Sequence, residues 1–123
     1  MNIIFMGTPQ FAASSLKILL NSHHKISAVV TVPDKAKGRG LKLSQSEVKK
    51  LALESGLSIL QPVDLKDKNF IKEIRRLEAD LIVVVAFRIL PKEVFRIPKY
   101  GSVNLHASIL PRYRGAAPIN WAI

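Results

Sequence analysis

The chain has 123 residues, which is enough for one hydrophobic core and too few for two ordinary domains. Hydrophobic residues make up 48% of it, a share typical of a packed globular domain and not of a disordered chain. Lysine and arginine number 19 against 9 acidic residues, and this net charge of +10 favours a polyanionic partner such as nucleic acid.

Several kinds of site are disfavoured by the residues that are present. The chain has no cysteine, so disulfides, thiol nucleophiles and thiolate metal ligands are excluded. Its three histidines are the neighbours His23 and His24 and the isolated His106, a poor set for zinc, and no metal cofactor is expected. The longest apolar run is far too short for a membrane span and no secretory signal follows Met1, so a cytoplasmic protein without a membrane partner is expected.

Strand-like and helix-like patterns alternate along the chain. Short apolar, β-branched runs predict strands at 2–6, 26–32, 57–60, 81–85 and 101–105. Apolar residues at helical spacing predict helices that start at Phe11, after Ser44 or Ser46, and after Asp67 or Asn69, and a short helix with Pro91 at its first position.

Two further segments complete this reading. Pro33 through Ser44 is predicted to be a loop, and Pro118 is predicted to begin another helix. The alternation of strands and helices predicts an α/β fold: an open, doubly wound, Rossmann-like and mostly parallel sheet, truncated at the carboxyl end.

The polar residues that follow Val103 form the first candidate site. Asn104, His106 and Ser108 alternate with apolar residues, so in a strand they share one face. A lone histidine is ordinarily a buried residue bonded to a carbonyl, but ligands of doubly wound sheets bind at the carboxyl ends of strands. There Asn104 and His106 resemble an oxyanion site, in which the amide donates to developing negative charge and the imidazole donates or shuttles a proton.

Other motifs have an ordinary structural interpretation beside the functional one. Ser108 has no Gly-x-Ser-x-Gly elbow around it, which favours a cap or loop hydrogen bond over a nucleophile. The sequence Gly7-Thr8-Pro9 lacks the full glycine fingerprint of a dinucleotide site and favours a tight turn. Arg112 and Arg114 fit a solvated loop and an anion site equally well.

A basic segment extends from Asp34 to Lys50. Six cations stand against two acids there, a balance of +4, and Gly38 and Gly40 lie among them. By default such a segment is a solvated surface loop. Its glycines would also let it lie along a nucleic-acid backbone and contact phosphates.

Four stretches, at 4–12, 33–40, 80–86 and 104–119, resemble the folate-dependent formyltransferase family, in the same order and over nearly the whole chain. The pattern Asn-x-His-x-Ser-x-Leu-Pro, which begins at Asn104, is the strongest part of this resemblance. The Gly38-Arg39-Gly40 loop is similar to that of the branch of the family that acts on tRNA.

The resemblance implies transfer of a formyl group from 10-formyltetrahydrofolate to the amino group of methionyl initiator tRNA, in translation initiation. It implies that Asn104 and His106 are catalytic, and that Arg39, supported by Lys42, contacts the tRNA acceptor stem. The folate-binding residues that it implies are Phe87, Arg88, Ile89, Leu90, Ser108, Ile109, Leu110 and Pro111.

The chain also departs from the family pattern. The segment between Phe87 and Pro91 is one residue shorter than usual and has Arg88 in place of glycine. The family's catalytic aspartate and its carboxyl-terminal tRNA-binding domain have no match in the chain. Residues 1–123 are therefore expected to be an incomplete catalytic domain that is inactive alone, and the full-length enzyme is expected to be a monomer.

Two alternative functions remain open from the sequence. One is a related folate-dependent formyltransferase that acts on a small amine, and the other is a non-catalytic RNA-binding module. The basic segment counts against a small acceptor, and binding of a folate analogue would separate an enzyme from a pure RNA-binding module.

Overall fold

A computed structural model describes residues 1–37, 42–105 and 119–122, with the backbone alone at 36–37, 42–43 and 119–122. Within these ranges the chain forms twelve helices and strands. In chain order they are β1 (Asn2–Gly7), α1 (Gln10–Leu20), β2 (Lys25–Val30), β3 (Lys35–Lys37), β4 (Lys42–Ser44), α2 (Glu47–Glu54), β5 (Ile59–Leu60), α3 (Lys68–Arg76), β6 (Leu81–Val85), α4 (Lys92–Phe95), β7 (Ser102–Leu105) and β8 (Ile119–Ala122).

Six of the strands form one sheet in the order β5-β2-β1-β6-β7-β8. The first five run parallel to one another, and β8 runs antiparallel to β7. Since parallel neighbours need crossover connections, a helix stands between each pair of strands that follow one another in this sheet up to β7. The predicted α/β fold with a mostly parallel, doubly wound sheet is confirmed.

The sheet is covered on both faces, as the alternation of side chains in β1 shows. Ile3 and Phe5 belong to the buried cluster that contains residues of α1 and α2. Ile4 and Met6 belong to the cluster on the other face, which contains residues of α3 and α4. Phe5, Ile4 and Met6 are completely buried, and burying a side chain of this size stabilises the fold by about 1.5–3 kcal/mol.

Two of the four described helices, α2 and α3, begin where a short polar side chain caps them. The Ser46 hydroxyl accepts a hydrogen bond from the backbone N–H of Lys49 at the start of α2, and the Asp67 carboxylate accepts one from that of Phe70 at the start of α3. For each helix the sequence offered two alternative caps, and the structure has Ser46 for α2 and Asp67 for α3. Pro91 differs slightly from its prediction, because it occupies the N-cap position of α4 and is not its first residue.

Within the described ranges no helix combines the length and the apolar character needed to cross a bilayer.

The prediction of a loop from Pro33 through Ser44 is wrong in part. Strands β3 and β4 lie in this segment and pair antiparallel, with Lys35 opposite Ser44 and Lys37 opposite Lys42. Three-residue strands are too short to show a readable alternation of apolar and polar residues. The pairing is a tertiary feature, since the hairpin is held at its base by distant side chains, which are described below.

The prediction of a helix that Pro118 begins is also wrong. The residues that follow form β8, in which Ile119 pairs with Leu105 and Ala122 with Ser102. A proline is compatible with the start of a strand as well as with the start of a helix. The edge of β7 decided between them, because an exposed strand edge offers unpaired backbone donors and acceptors that β8 satisfies.

Candidate active site and basic hairpin

The strand order reverses between β1 and β6. The chain builds β2 and β5 on one side of β1, then returns to place β6 and β7 on the other side. At such a reversal the flanking connections leave the sheet in opposite directions, so a crevice opens at the carboxyl ends of the two strands. Gly7 and Val85 are paired at this point, and Leu105 lies beside Val85 in the next strand.

The carboxyl ends of β1 and β6 approach each other so closely that only glycine fits at position 7. A Cβ atom on Gly7 would lie 2.7 Å from the Cβ of Ala12 in α1 and 2.8 Å from the carbonyl oxygen of Val85. Thr8 follows directly, and its Oγ1 is buried without a hydrogen-bond partner among the described residues. The turn thus brings a buried hydroxyl and the first residues of α1 to the crevice, in agreement with the predicted tight strand-to-helix turn.

Asn104 lies at the carboxyl end of β7, close to this crevice. It is paired with Val84 of β6 and with Asn120 of β8, and it is partly exposed. Paired residues of neighbouring strands point to the same face, so Asn104 shares the face of Val84, which α3 and α4 cover. Its neighbour Leu105 packs against the cluster on the opposite face.

The segment that follows β6 lies on the same face as Asn104. Ala86 has a φ of +50°, a left-handed conformation that turns the chain sharply at the end of the strand. Phe87 and Leu90 then pack against the cluster that contains Val84, whereas Ile89 is 92% exposed. The turn therefore places two apolar side chains behind the segment and one on its outer surface.

Arg88 joins this segment to the loop between β5 and α3. Its Nη1 donates to the carbonyl oxygen of Val63 and its Nη2 to that of Pro62, both at 2.8 Å. Its Cζ lies 4.9 Å from the centre of the Phe87 ring. Partial burial lowers the pKa of Arg88, and the nearby charge of Asp64 opposes this shift. The guanidinium is thus used to hold two loops together at the carboxyl edge of the sheet.

These two loops enclose a groove of about 460 Å³. Two larger grooves are less well placed. One of about 650 Å³ between α3 and α4 includes Arg75 and Arg96 near the amino ends of the strands, and one of about 590 Å³ extends along α3 to Glu73, beside the edge strand β5. Position favours the smaller groove, because it includes the segment that follows β6, next to the strand reversal, and ligands of this fold bind at such carboxyl ends. The residues that line it are Val63, Asp64, Leu65, Lys66, Arg88, Ile89, Leu90 and Pro91.

The hairpin of β3 and β4 is attached to the sheet by a set of polar side chains at its base. Asp34 lies 2.8 Å from Lys49 Nζ, and its other oxygen accepts a hydrogen bond of 2.8 Å from Gln61. The hydrogen bonds from Lys49 and Gln61 lower the pKa of Asp34 and keep its carboxylate charged. Thr31 and Ser46 are bonded through their hydroxyls at 2.7 Å nearby.

The family model for formyl transferases matches residues 1–123, which is the whole chain. The chain belongs to the formyl transferase family.

Curated relatives within this family resemble the chain over its full length. A methionyl-tRNA formyltransferase of Thermodesulfovibrio yellowstonii is 57% identical over 122 residues, which are 98% of this chain and 40% of the relative. One of Clostridioides difficile is 55% identical over 124 residues, covering 100% of this chain and 40% of the relative. The chain thus spans about 40% of the length of the curated relatives that it matches.

Solved structures support the same fold at low sequence identity. Phosphoribosylglycinamide formyltransferases of Anaplasma phagocytophilum and Coxiella burnetii superpose with TM-scores of 0.61 and 0.55, each at 18% identity. The alignments cover 94% of this chain and 53% and 55% of those chains. At this identity the similarity concerns the Rossmann-like fold alone.

In this formyl transferase chain, five of the predicted site residues are described with both backbone and side chain. Asn104 and the segment that contains Phe87 and Leu90 come together on one face at the carboxyl edge, Arg88 is bonded to the neighbouring loop, and Ile89 is exposed. Lys42 is described by its backbone, in β4. The predictions for Arg39, His106, Ser108, Ile109, Leu110 and Pro111 fall outside the described residues.

Two features of the site were not predicted from the sequence. The loop that contains Val63 and Lys66 lines the groove, and the hydroxyl of Thr8 lies buried at the crevice. The loop with Val63 and Lys66 carries no motif, and the motif that contains Thr8 predicted only a tight turn. Both follow the carboxyl end of a parallel strand, and that position was the available signal. Among the described residues no three His, Asp or Glu side chains lie close enough together to hold a metal ion.

Proposed function

We propose that the whole protein transfers a formyl group from 10-formyltetrahydrofolate to the amino group of methionyl initiator tRNA, in the cytoplasm. The observation that carries the proposal is Asn104, a partly exposed amide at the carboxyl edge beside the strand reversal, in a chain 57% identical to a methionyl-tRNA formyltransferase. The position suits a group that must reach a reacting carbonyl, because ligands of this fold bind at the carboxyl ends of the strands beside the reversal.

The reaction requires stabilisation of negative charge on the formyl oxygen. The amine nitrogen of methionine attacks the formyl carbon, and the carbonyl electrons move onto oxygen. Asn104 is proposed to donate its amide N–H to this oxygen, and His106 to take the proton that the amine loses. The bond between the formyl carbon and the folate nitrogen then breaks, and that nitrogen receives a proton to give tetrahydrofolate.

The groove between the β5–α3 and β6–α4 loops is proposed to bind the donor. Its volume of about 460 Å³ is within the usual range for a small-molecule site. Leu65 and Leu90 offer apolar contact for the rings of folate, and Lys66 offers a cation for the carboxylates of its glutamate tail. Arg88 holds the two walls together through the carbonyls of Pro62 and Val63.

The basic hairpin is proposed to bind the other substrate. Lys35, Lys37, Arg39 and Lys42 all belong to residues 35–42 of the sequence. Cations repeated along a narrow hairpin suit the phosphates of an RNA stem. A small amine acceptor would need no such surface.

The test is a formylation assay with the whole protein, labelled 10-formyltetrahydrofolate and charged initiator tRNA. We expect the label to appear on methionyl-tRNA, and substitution Asn104→Ala to lower kcat about 100- to 1,000-fold, as for other oxyanion donors. Asn21→Ala is the matched control, because Asn21 is an exposed amide where α1 ends, at the opposite edge. Transfer to a small amine such as phosphoribosylglycinamide, with none to tRNA, would refute the proposed acceptor.

A further inference from the structure

Asp34 occupies an unexpected place for an acidic residue. It directly precedes β3, so it lies at the base of a hairpin that is otherwise rich in cations. A carboxylate near a phosphate-binding surface repels phosphate, and electrostatics alone would favour its removal. The side chain therefore needs a reason other than contact with a polyanion.

The contacts of Asp34 supply that reason. Its two oxygens are bonded to Lys49 of α2 and to Gln61, which follows β5, each at 2.8 Å. The same Gln61 nitrogen donates to the carbonyl oxygen of Val32 at 3.0 Å. The side chains of Asp34 and Lys49 are only 20% and 15% exposed, so the pair is largely withdrawn from solvent, and loss of either partner would leave the other charge uncompensated.

The other strand of the hairpin is fixed as well. Ser46, two residues beyond β4, caps α2 and is bonded to the hydroxyl of Thr31, a fully buried residue beyond the end of β2. Both ends of the hairpin are thus attached to the parallel sheet and to the first turn of α2. The hairpin has few other ways to hold its direction, because two three-residue strands are only marginally stable by themselves.

Two of the six cations between Asp34 and Lys50 are neutralised by ion pairs. Lys49 is paired with Asp34 and Lys50 with Glu47. The remaining four cations of the segment, at positions 35, 37, 39 and 42, all belong to the hairpin sequence. The local excess of positive charge is therefore concentrated in the hairpin, beyond the paired residues at its base.

We propose that Asp34 is a positioning residue which, through Lys49 and Gln61, holds the basic hairpin in the direction needed to contact the tRNA stem. The inference rests on the proposed function. Asp34 itself contacts neither substrate, and Lys49 serves as its partner and not as a phosphate ligand.

The test compares Asp34→Asn with the parent in the whole protein, by steady-state formylation of charged initiator tRNA. A change of charge alone would lower the KM for tRNA, because a repulsive carboxylate is removed. A hairpin that is no longer held in its direction would instead raise the KM for tRNA. We expect a rise of roughly tenfold, the effect of losing one charge-assisted hydrogen bond. The KM for the donor and kcat should change by less than about twofold, an effect too small to reflect a lost interaction.

Three further comparisons separate positioning from general damage. Glu73→Gln is the matched control, since it also removes one carboxylate from an ion pair, with Arg76 on α3, and should leave all constants unchanged. Gln61→Met removes both Gln61 hydrogen bonds without a change of charge and should raise the KM for tRNA in the same direction. In an Arg39→Ala background the Asp34→Asn effect should shrink, because the contact that depends on position is already lost.

The possible outcomes distinguish the two proposals. If the parent does not formylate tRNA, the proposed function fails and this inference fails with it. If the parent is active and Asp34→Asn leaves the KM for tRNA unchanged or lower, the positioning role is refuted and the proposed function stands. If the KM for the donor and the KM for tRNA rise by equal factors and kcat falls by the same factor, Asp34 has a general structural role and positioning is also refuted.

Discussion

Substitution of Gly7 by alanine tests whether the carboxyl ends of β1 and β6 are as tightly packed as the structure shows. The added Cβ would lie 2.7 Å from the Cβ of Ala12 and 2.8 Å from the carbonyl oxygen of Val85. The first distance is about 1 Å shorter than the favourable separation of roughly 3.5–4.0 Å between carbons. Neither neighbour can avoid the contact by rotating, because one is a methyl group on a helix and the other is backbone.

The magnitude follows from two opposing terms. Overpacking of a core position destabilises by about 1–3 kcal/mol. Replacing glycine also reduces the freedom of the unfolded chain, which offsets roughly 0.4–1 kcal/mol. We therefore expect Gly7→Ala to lower the free energy of unfolding by about 1–2 kcal/mol, measured by urea titration of the protein.

Gly56→Ala is the control, because this glycine has a different requirement. Gly56 has a φ of +69° and no atom within 4 Å of a built Cβ, so alanine there meets backbone strain and no clash. Substitution Ala12→Gly should recover part of the loss caused by Gly7→Ala and none of that caused by Gly56→Ala. If Gly7→Ala is neutral, or if it shows no coupling to Ala12→Gly, the close packing inferred here is wrong.

Three further predictions concern side chains that hold helices and loops in place. Asp67→Ala removes the cap that accepts from Phe70 N and should lower the free energy of unfolding by about 1 kcal/mol in urea, whereas Asp67→Ser should retain most of it; equal losses would contradict the cap. Arg88→Met leaves two loop carbonyls without their hydrogen-bond donor, so the KM for 10-formyltetrahydrofolate in the formylation assay should rise roughly tenfold, with a smaller rise for Arg88→Lys. An unchanged KM for 10-formyltetrahydrofolate would show that this clamp does not shape the groove. The pKa of Asp34 is lowered in the folded state, so its carboxylate stabilises the fold at pH values above the ordinary pKa of about 3.9, and this stabilisation is lost as the pH falls through the folded value. The urea midpoint should therefore fall more steeply below about pH 4 in the parent than in Asp34→Asn. Parallel curves of midpoint against pH would exclude this linkage.

The strands and helices of the sheet could be predicted because their signals are local. The run from Leu81 to Val85 is apolar on both faces, as a central parallel strand requires, and it does lie in the middle of the sheet between β1 and β7. Ser46 and Asp67 were among the predicted caps because a short polar side chain before a periodic apolar pattern satisfies the first helix amides.

The two wrong predictions share one cause. Strands β3 and β4 exist because distant residues, Lys49 and Gln61, fix the base of their hairpin, and β8 exists because the edge of β7 accepts it. Lys49 and Gln61 lie 15 and 27 residues beyond Asp34, and β8 begins 14 residues after β7 ends. Local patterns therefore favoured a loop in one case and a helix in the other.

For the candidate site, the sequence by itself determined where Asn104, the proposed oxyanion donor, lies in the fold. Asn104 stands in a pattern of alternating polar residues after a strand, and the order of strands and helices fixes the edge of the sheet to which it belongs. Chain order and side-chain period are sufficient for this, because they decide the face and the end of a strand. Only the tertiary structure decided which distant segments meet at the carboxyl edge of the sheet: the Arg88 clamp, the groove beside Lys66 and the Asp34 network join segments that are 15 to 27 residues apart. Such contacts depend on three-dimensional packing, for which a single sequence has no periodic signal.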